Sequence, residues 1–206
     1  MSLKPVKKSD QEKDWLKKGT KTEPNYFEAI KLRINEKYKN RISLEIRGDG
    51  NNTVGLFEDA KRIVESNQRQ FSFRHVWIVY DTDDFPKDKI DSVPELCKKN
   101  STSDCRYHAI WSNQCIELWF LLHFGYYHSD LHRNDYFPKL DRWLKSISSG
   151  KYEKNRTDMF SVLEPYMNDA IKNATQLQQQ NKDQLPSNSK PGTKVYELIE
   201  MLKPYF

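Results

Sequence analysis

The 206-residue chain holds only three cysteines, Cys97, Cys105 and Cys115. An odd number, with no Cys-x-x-Cys spacing and no paired histidines beside them, argues against a disulfide framework and against a zinc site. It favours reduced thiols in a cytoplasmic protein. No long apolar run is present: the longest, residues 116–124, is interrupted by Glu117 and His123 and is too short to span a bilayer. No secretory leader is expected, the opening Met1-Ser2-Leu3 reads as an expression remnant, and no internal repeat stands out. Apolar residues are scarce at 36%, so polar helices or loops must accompany a single core, which the 13% of aromatic residues helps to fill. Charge of one sign is also in short supply. A formal +5 permits contact with nucleic acid without establishing it. The basic residues gather in the first 45 positions.

What is present centres on His75-Val76-Trp77-Ile78-Val79-Tyr80-Asp81-Thr82-Asp83-Asp84-Phe85-Pro86. A short run of β-branched and aromatic residues, apolar on both faces, reads as a buried strand of a parallel sheet. Three carboxylates then fall where open α/β sheets bind ligands, at the carboxyl end of a strand. Asp81, Asp83 and Asp84 fit a hard cation such as Mg2+, which takes one or two carboxylates with water and substrate phosphate. They equally fit a solvated turn with one Asp capping the next helix.

Around this strand the chain alternates. Thr22 or Glu23 can cap a helix with Pro24 in its first turn, and Phe27, Ile30 and Ile34 form its stripe beside Tyr26. Residues 42–46 alternate like a strand, and 48–52 form a turn of Gly, Asp and Asn. A helix is expected from Thr53, with Leu56, Ala60, Ile63 and Val64 inward. Another is expected at 88–99, which Pro94 limits or breaks. Residues 107–111 read as a strand and 115–124 as a buried helix. This alternation predicts an α/β fold with a parallel sheet. Beyond Tyr126 helices are expected at 135–147, 160–177 and 193–202, with a mobile polar loop at 178–190. The domain reading is a disordered arm or tag remnant at 1–13, an α/β core at 14–125 and a helical extension packing on the core at 126–206.

Several other side chains are site candidates, each with an ordinary alternative. Glu117, inside an apolar run, either faces a site or pairs with a cation, because a lone buried charge is costly. His123 is either a site residue or a satisfied core histidine. Ser112 and Asn113 end a strand and could donate to a phosphate or cap the next helix. Glu23 is a third metal ligand or a carboxylate favoured by the helix dipole. His128 and His132 have zinc-like spacing but no evident third ligand, which favours a surface loop.

Four motifs occur in order: residues 19–27 (Gly-Thr-Lys-Thr-Glu-Pro-Asn-Tyr-Phe), 79–85 (Val-Tyr-Asp-Thr-Asp-Asp-Phe), 112–124 (Ser-Asn-Gln-Cys-Ile-Glu-Leu-Trp-Phe-Leu-Leu-His-Phe) and 190–199 (Lys-Pro-Gly-Thr-Lys-Val-Tyr-Glu-Leu-Ile). Together, over roughly residues 19–204, they resemble the RloB-like family. The resemblance implies a Toprim-like fold, a small parallel sheet flanked by helices, here with a C-terminal helical extension. It implies a Mg2+-dependent (or Mn2+-dependent) nuclease-type activity in abortive infection, a form of phage defence, and a separately encoded ATPase partner. Asp81 and Asp83 match the Asp-x-Asp that binds Mg2+ in Toprim folds, with Asp84 in support. Where the family places a glutamate before the glycine, this chain has Lys18 ahead of Gly19. Glu23 or Glu117 would then complete the carboxylate set in catalysis.

Within this reading Lys17, Lys18, Lys21, Ser112, Asn113 and His123 would contact DNA or RNA. A homo-oligomer is compatible with it. The competing expectation, favoured by Lys18, is a catalytically degenerate subunit that binds nucleic acid or regulates the ATPase without turnover.

Overall fold

The computed structural model describes residues 22–38, 46, 53–67, 73–82 and 85–206. The arm at 1–13, Lys17, Lys18 and Lys21, residues 42–45 of the strand expected at 42–46, the turn at 48–52, and Asp83 and Asp84 lie outside the described residues.

Helix α1 (Thr22–Tyr38) begins where Thr22, Glu23 and Pro24 predict, and buries Tyr26, Phe27, Ile30 and Ile34 at helical spacing. Ile46 packs, half-buried, against the same core. Helix α2 (Thr53–Asn67) turns Phe57 fully inward, with Leu56 and Ala60 beside it. Strand β1 (His75–Asp81) leads to α3 (Lys87–Asn100), and β2 (Arg106–Asn113) follows.

Helix α3 runs through Pro94 unbroken, contrary to the expectation that it would stop there. Proline removes the N–H that would bond to the carbonyl four residues back, that of Ile90. The Tyr80 hydroxyl donates to this Ile90 carbonyl at 3.3 Å instead, so the orphaned acceptor is satisfied inside the core.

β1 and β2 are parallel and in register from His75 opposite Arg106 to Asp81 opposite Ser112. The two-residue β3 (Gly192–Thr193) adds antiparallel to the other side of β2, so the sheet of described strands is mixed rather than parallel, in the order β1-β2-β3. The antiparallel strand comes from the last motif of the chain. Its glycine is required by contact, since a Cβ on Gly192 would meet the Ser189 carbonyl at 2.9 Å and the Trp111 ring at 3.0 Å.

Alternation along the strands separates two cores. Ile78, Tyr80 and Trp111 face α2 and α3 with Phe57, Ile90, Val93 and Cys97. Ile110, with half-buried Trp77 and Val79, faces the larger core. That core draws on α1, on α4 (Glu117–Leu122), α5 (Arg133–Ser146), α6 (Met159–Leu163), α7 (Met167–Gln180) and α8 (Val195–Leu202). It joins side chains from both sides of residue 125.

The helix expected at 115–124 is only six residues long, all buried. The one expected at 160–177 is divided by Pro165 into α6, a 3-10 turn at 164–166 and α7. Residues 178–190 form no loose loop. Ser187 donates through N–H and Oγ to the two carboxylate oxygens of Asp91 at 2.9 and 2.7 Å, pinning the segment to α3. Among the described residues no helix is long and apolar enough to cross a membrane.

Candidate functional site

The trailing ends of β1 and β2 are tied together before the chain leaves the sheet. Thr82 N–H donates to the Ser112 carbonyl at 3.0 Å and to the Gln114 carbonyl at 3.1 Å. Asp81 and residues 114–117 are thereby brought to one edge. Cys115 lies 4% exposed among them; burial raises its thiol far above the usual range, and the nearby charges of Glu117 and Asp81 raise it further. It is a neutral filler rather than a nucleophile.

Glu117 opens α4 and is 2% exposed. A carboxylate this deep needs compensation. It has the helix N-terminus and a 2.6 Å hydrogen bond from the Tyr152 hydroxyl to its Oε1.

Glu23, in the first turn of α1, arrives at the same place from another element. Its carboxyl is held above the ordinary carboxylate range, first by burial and then by the negative charge of Glu117. Its own backbone N–H, a side-chain hydrogen bond with Asp81 and the positive charge of Lys154 act in the opposite direction. Three carboxyl groups from three elements thus share one neighbourhood: Glu23, Asp81 and Glu117. Two of them, Glu23 and Asp81, act on each other's titration, with Asp81 counteracting the rise at Glu23, as carboxylates close enough to share a proton or a cation do.

Thr82 follows Asp81 and turns its side chain to the opposite side of the strand, where its Oγ1 is buried without a hydrogen-bond partner. Among the described residues no three His, Cys, Asp or Glu side chains close around an ion. Mg2+ does not require such a cage, because it retains water and takes one or two carboxylates together with phosphate. The donor chemistry of Glu23 and Asp81 therefore fits it.

The remaining candidates fall elsewhere. Ser112 and Asn113 are each 2% exposed and His123 1%. Ser112 Oγ pairs with Thr193 Oγ1 at 2.8 Å, and Asn113 Nδ2 donates to the Pro186 carbonyl at 3.3 Å. His123 Nδ1–H donates to the Trp119 carbonyl at 2.9 Å, while its Nε2 is buried without a partner. Burial lowers the imidazole to about 4. All three side chains are turned into the protein, so in this conformation none presents a donor to a nucleic-acid backbone. His132 Nδ1 accepts from Asn134 N–H at 3.2 Å and caps α5, so His128 and His132 do not share a helix face.

Sequence reasoning missed Tyr152 and Lys154. They lie in a segment, 150–155, with no periodicity and no motif, 35 residues from Glu117 for Tyr152. Only the fold brings them to the carboxylates.

A small sheet, helices on both of its faces and carboxylates at the trailing strand ends define an α/β protein with an acidic site. The chain matches the family model described as RloB-like protein over residues 17–202, and it belongs to that family. No curated protein and no solved structure matches it.

Proposed function

We propose that this RloB-like protein is a Toprim-like, Mg2+-dependent nuclease-type subunit that cleaves phosphodiester bonds in a prokaryotic phage-defence system. The observation that carries the reading is the contact of the Glu23 and Asp81 carboxyls with Glu117 beside them, at the trailing end of the parallel strand pair. Asp81 would hold the metal with Asp83 and Asp84, and Glu23 would take the part of the glutamate whose family position is filled by Lys18. Mn2+ would serve in place of Mg2+.

When bound, the metal supplies charge stabilisation for phosphodiester oxygens and lowers the pKa of water. The chain's own residues do the rest. Asp81 would hold the ion from a strand end fixed by the Thr82 hydrogen bonds. The carboxyl of Glu23, which burial holds above the ordinary carboxylate range, would accept or return a proton. Lys17, Lys18 and Lys21 are proposed to contact the DNA or RNA backbone. A separately encoded ATPase is the proposed partner and the cytoplasm the proposed location; these rest on the resemblance to the family.

The test is incubation of the full chain, alone and with the ATPase partner, with labelled DNA and RNA in Mg2+ or Mn2+. Cleavage is expected, and Asp81→Ala should reduce it at least a hundredfold, the scale on which charge-stabilising groups act. Unchanged cleavage by the Asp81→Ala/Asp83→Ala double variant would sink the assignment. A second reading is favoured by Lys18: a degenerate subunit that binds nucleic acid or the ATPase without turnover. Salt-dependent binding with no cleavage under any of these conditions would establish it instead.

A further inference from the structure

Glu117 is the carboxylate of the cluster whose partner was invisible in the sequence. That partner is presented by a segment, 149–158, that hydrogen bonds tie to α1, to α5 and to itself. Arg156 binds it from within: Nη1 donates to the Ser149 and Lys151 carbonyls at 2.8 and 2.9 Å, while Nε and Nη2 donate to the two Asp158 oxygens at 2.8 and 2.7 Å. α1 binds it from one side, with Thr22 Oγ1 donating to the Lys154 carbonyl at 2.7 Å and Asn25 Nδ2 to the Asn155 carbonyl at 3.0 Å. α5 binds it from the other, where Asp141 Oδ1 accepts from Tyr152 N–H at 2.7 Å. The Tyr152 ring stacks on Phe137 at 5.8 Å and lies edge-on to Phe120 at 6.5 Å. The ring is therefore held between two aromatic neighbours and its backbone is anchored, and its hydroxyl ends 2.6 Å from Glu117 Oε1.

The segment holds more than packing requires. A buried carboxylate can be compensated by any donor, yet here the donor comes from a strap that also grips α1 one residue before Glu23. The strap therefore fixes the helix that carries Glu23 and the side chain of Glu117 together.

We propose that Tyr152 is a positioning residue: its hydroxyl fixes the rotamer of Glu117, and the strap 149–158 sets the spacing between Glu117 and Glu23 that a divalent cation at this site requires. The proposal rests on the metal reading above. Hydrogen-bond partners of this kind orient metal-site carboxylates, and their loss costs about 10- to 100-fold in metal affinity.

The experiment is calorimetric titration of the full chain with Mn2+ alone, without nucleic acid. Wild type is expected to bind. Tyr152→Phe, which keeps the ring and removes the hydroxyl, should weaken binding about tenfold. In a Glu117→Gln background the same change should have no further effect, because the hydroxyl acts through that carboxylate. A purely packing role would weaken binding equally in both backgrounds, and that result overturns the proposal, as does Tyr152→Phe binding within twofold of wild type. Should Tyr152→Phe lose its cooperative melting transition, Asp141→Ala releases the strap from its α5 side and should weaken Mn2+ in the same direction; unchanged affinity there also overturns it. A wild-type chain that binds no Mn2+ overturns the metal reading itself and the role of Tyr152 with it, an outcome distinct from the others.

Discussion

The two ends of the β1–β2 pair differ in almost every physical respect. At the leading end His75 and Arg106 face each other in register and are exposed. Trp77 and His108 stack at 4.0 Å, and His75 Nδ1 lies 3.0 Å from His108 Nε2. These groups retain contact with water, and burial deepens along β2 until its last four residues are all buried. At the trailing end Ser112, Asn113, Cys115 and Glu117 are interior, and each of these four has a specific partner or a specific charge beside it. The difference is one of tolerance. An exposed stack can be rearranged at small cost because water replaces a lost partner. A buried polar cluster must be satisfied as a set, which costs desolvation but fixes one geometry.

Truncation on either side of this contrast should separate the two ends. Ser112→Ala leaves the Thr193 hydroxyl without its buried partner and should cost about 1–3 kcal/mol in chemical denaturation. His75→Ala, at the exposed end, should stay within about 0.5 kcal/mol. Equal costs would break the contrast between a fixed end and a tolerant one.

A pH-dependent effect concerns His123, at the C-terminal end of the helix launched from the buried strand end. Its imidazole is lowered from the ordinary 6.5 to about 4 by burial. The unfolded chain takes up a proton as pH falls through about 6.5, and the folded chain does so only near 4. Stability contributed by the neutral ring is therefore present above the upper value and is lost as pH falls between the two, by at most about 1.4 kcal/mol per pH unit for one proton. His123→Leu should flatten that part of the stability profile measured by urea denaturation. An identical slope in wild type and variant would show that the ring is not held neutral by the fold.

Much of the fold was legible in local pattern. The stripe of Tyr26, Phe27, Ile30 and Ile34 and the apolar run into Asp81 became α1 and β1 where periodicity placed them. What failed was non-local. Pro94 is tolerated because a tyrosine from β1 satisfies the carbonyl it orphans. The sheet is mixed because Gly192 permits a close antiparallel approach to Trp111. Ser112, Asn113 and His123 carry polar groups suited to a ligand, but their partners are Thr193, Pro186 and Trp119, which no spacing rule connects to them. Site reading had the same limit. Glu23, Asp81 and Glu117 could each be singled out as a carboxylate in an unusual setting, yet their meeting, and the part of Tyr152 in it, depends on packing among α1, β1, α4 and the strap.

The central claim is that the contact of Glu23 with Asp81 is where a divalent cation binds. Diffraction from crystals soaked in Mn2+, recorded for its anomalous signal, tests this most directly. The account predicts a peak within coordination distance of both carboxylates, lost in Asp81→Asn. No peak there at saturating Mn2+, or a peak only elsewhere, would contradict it.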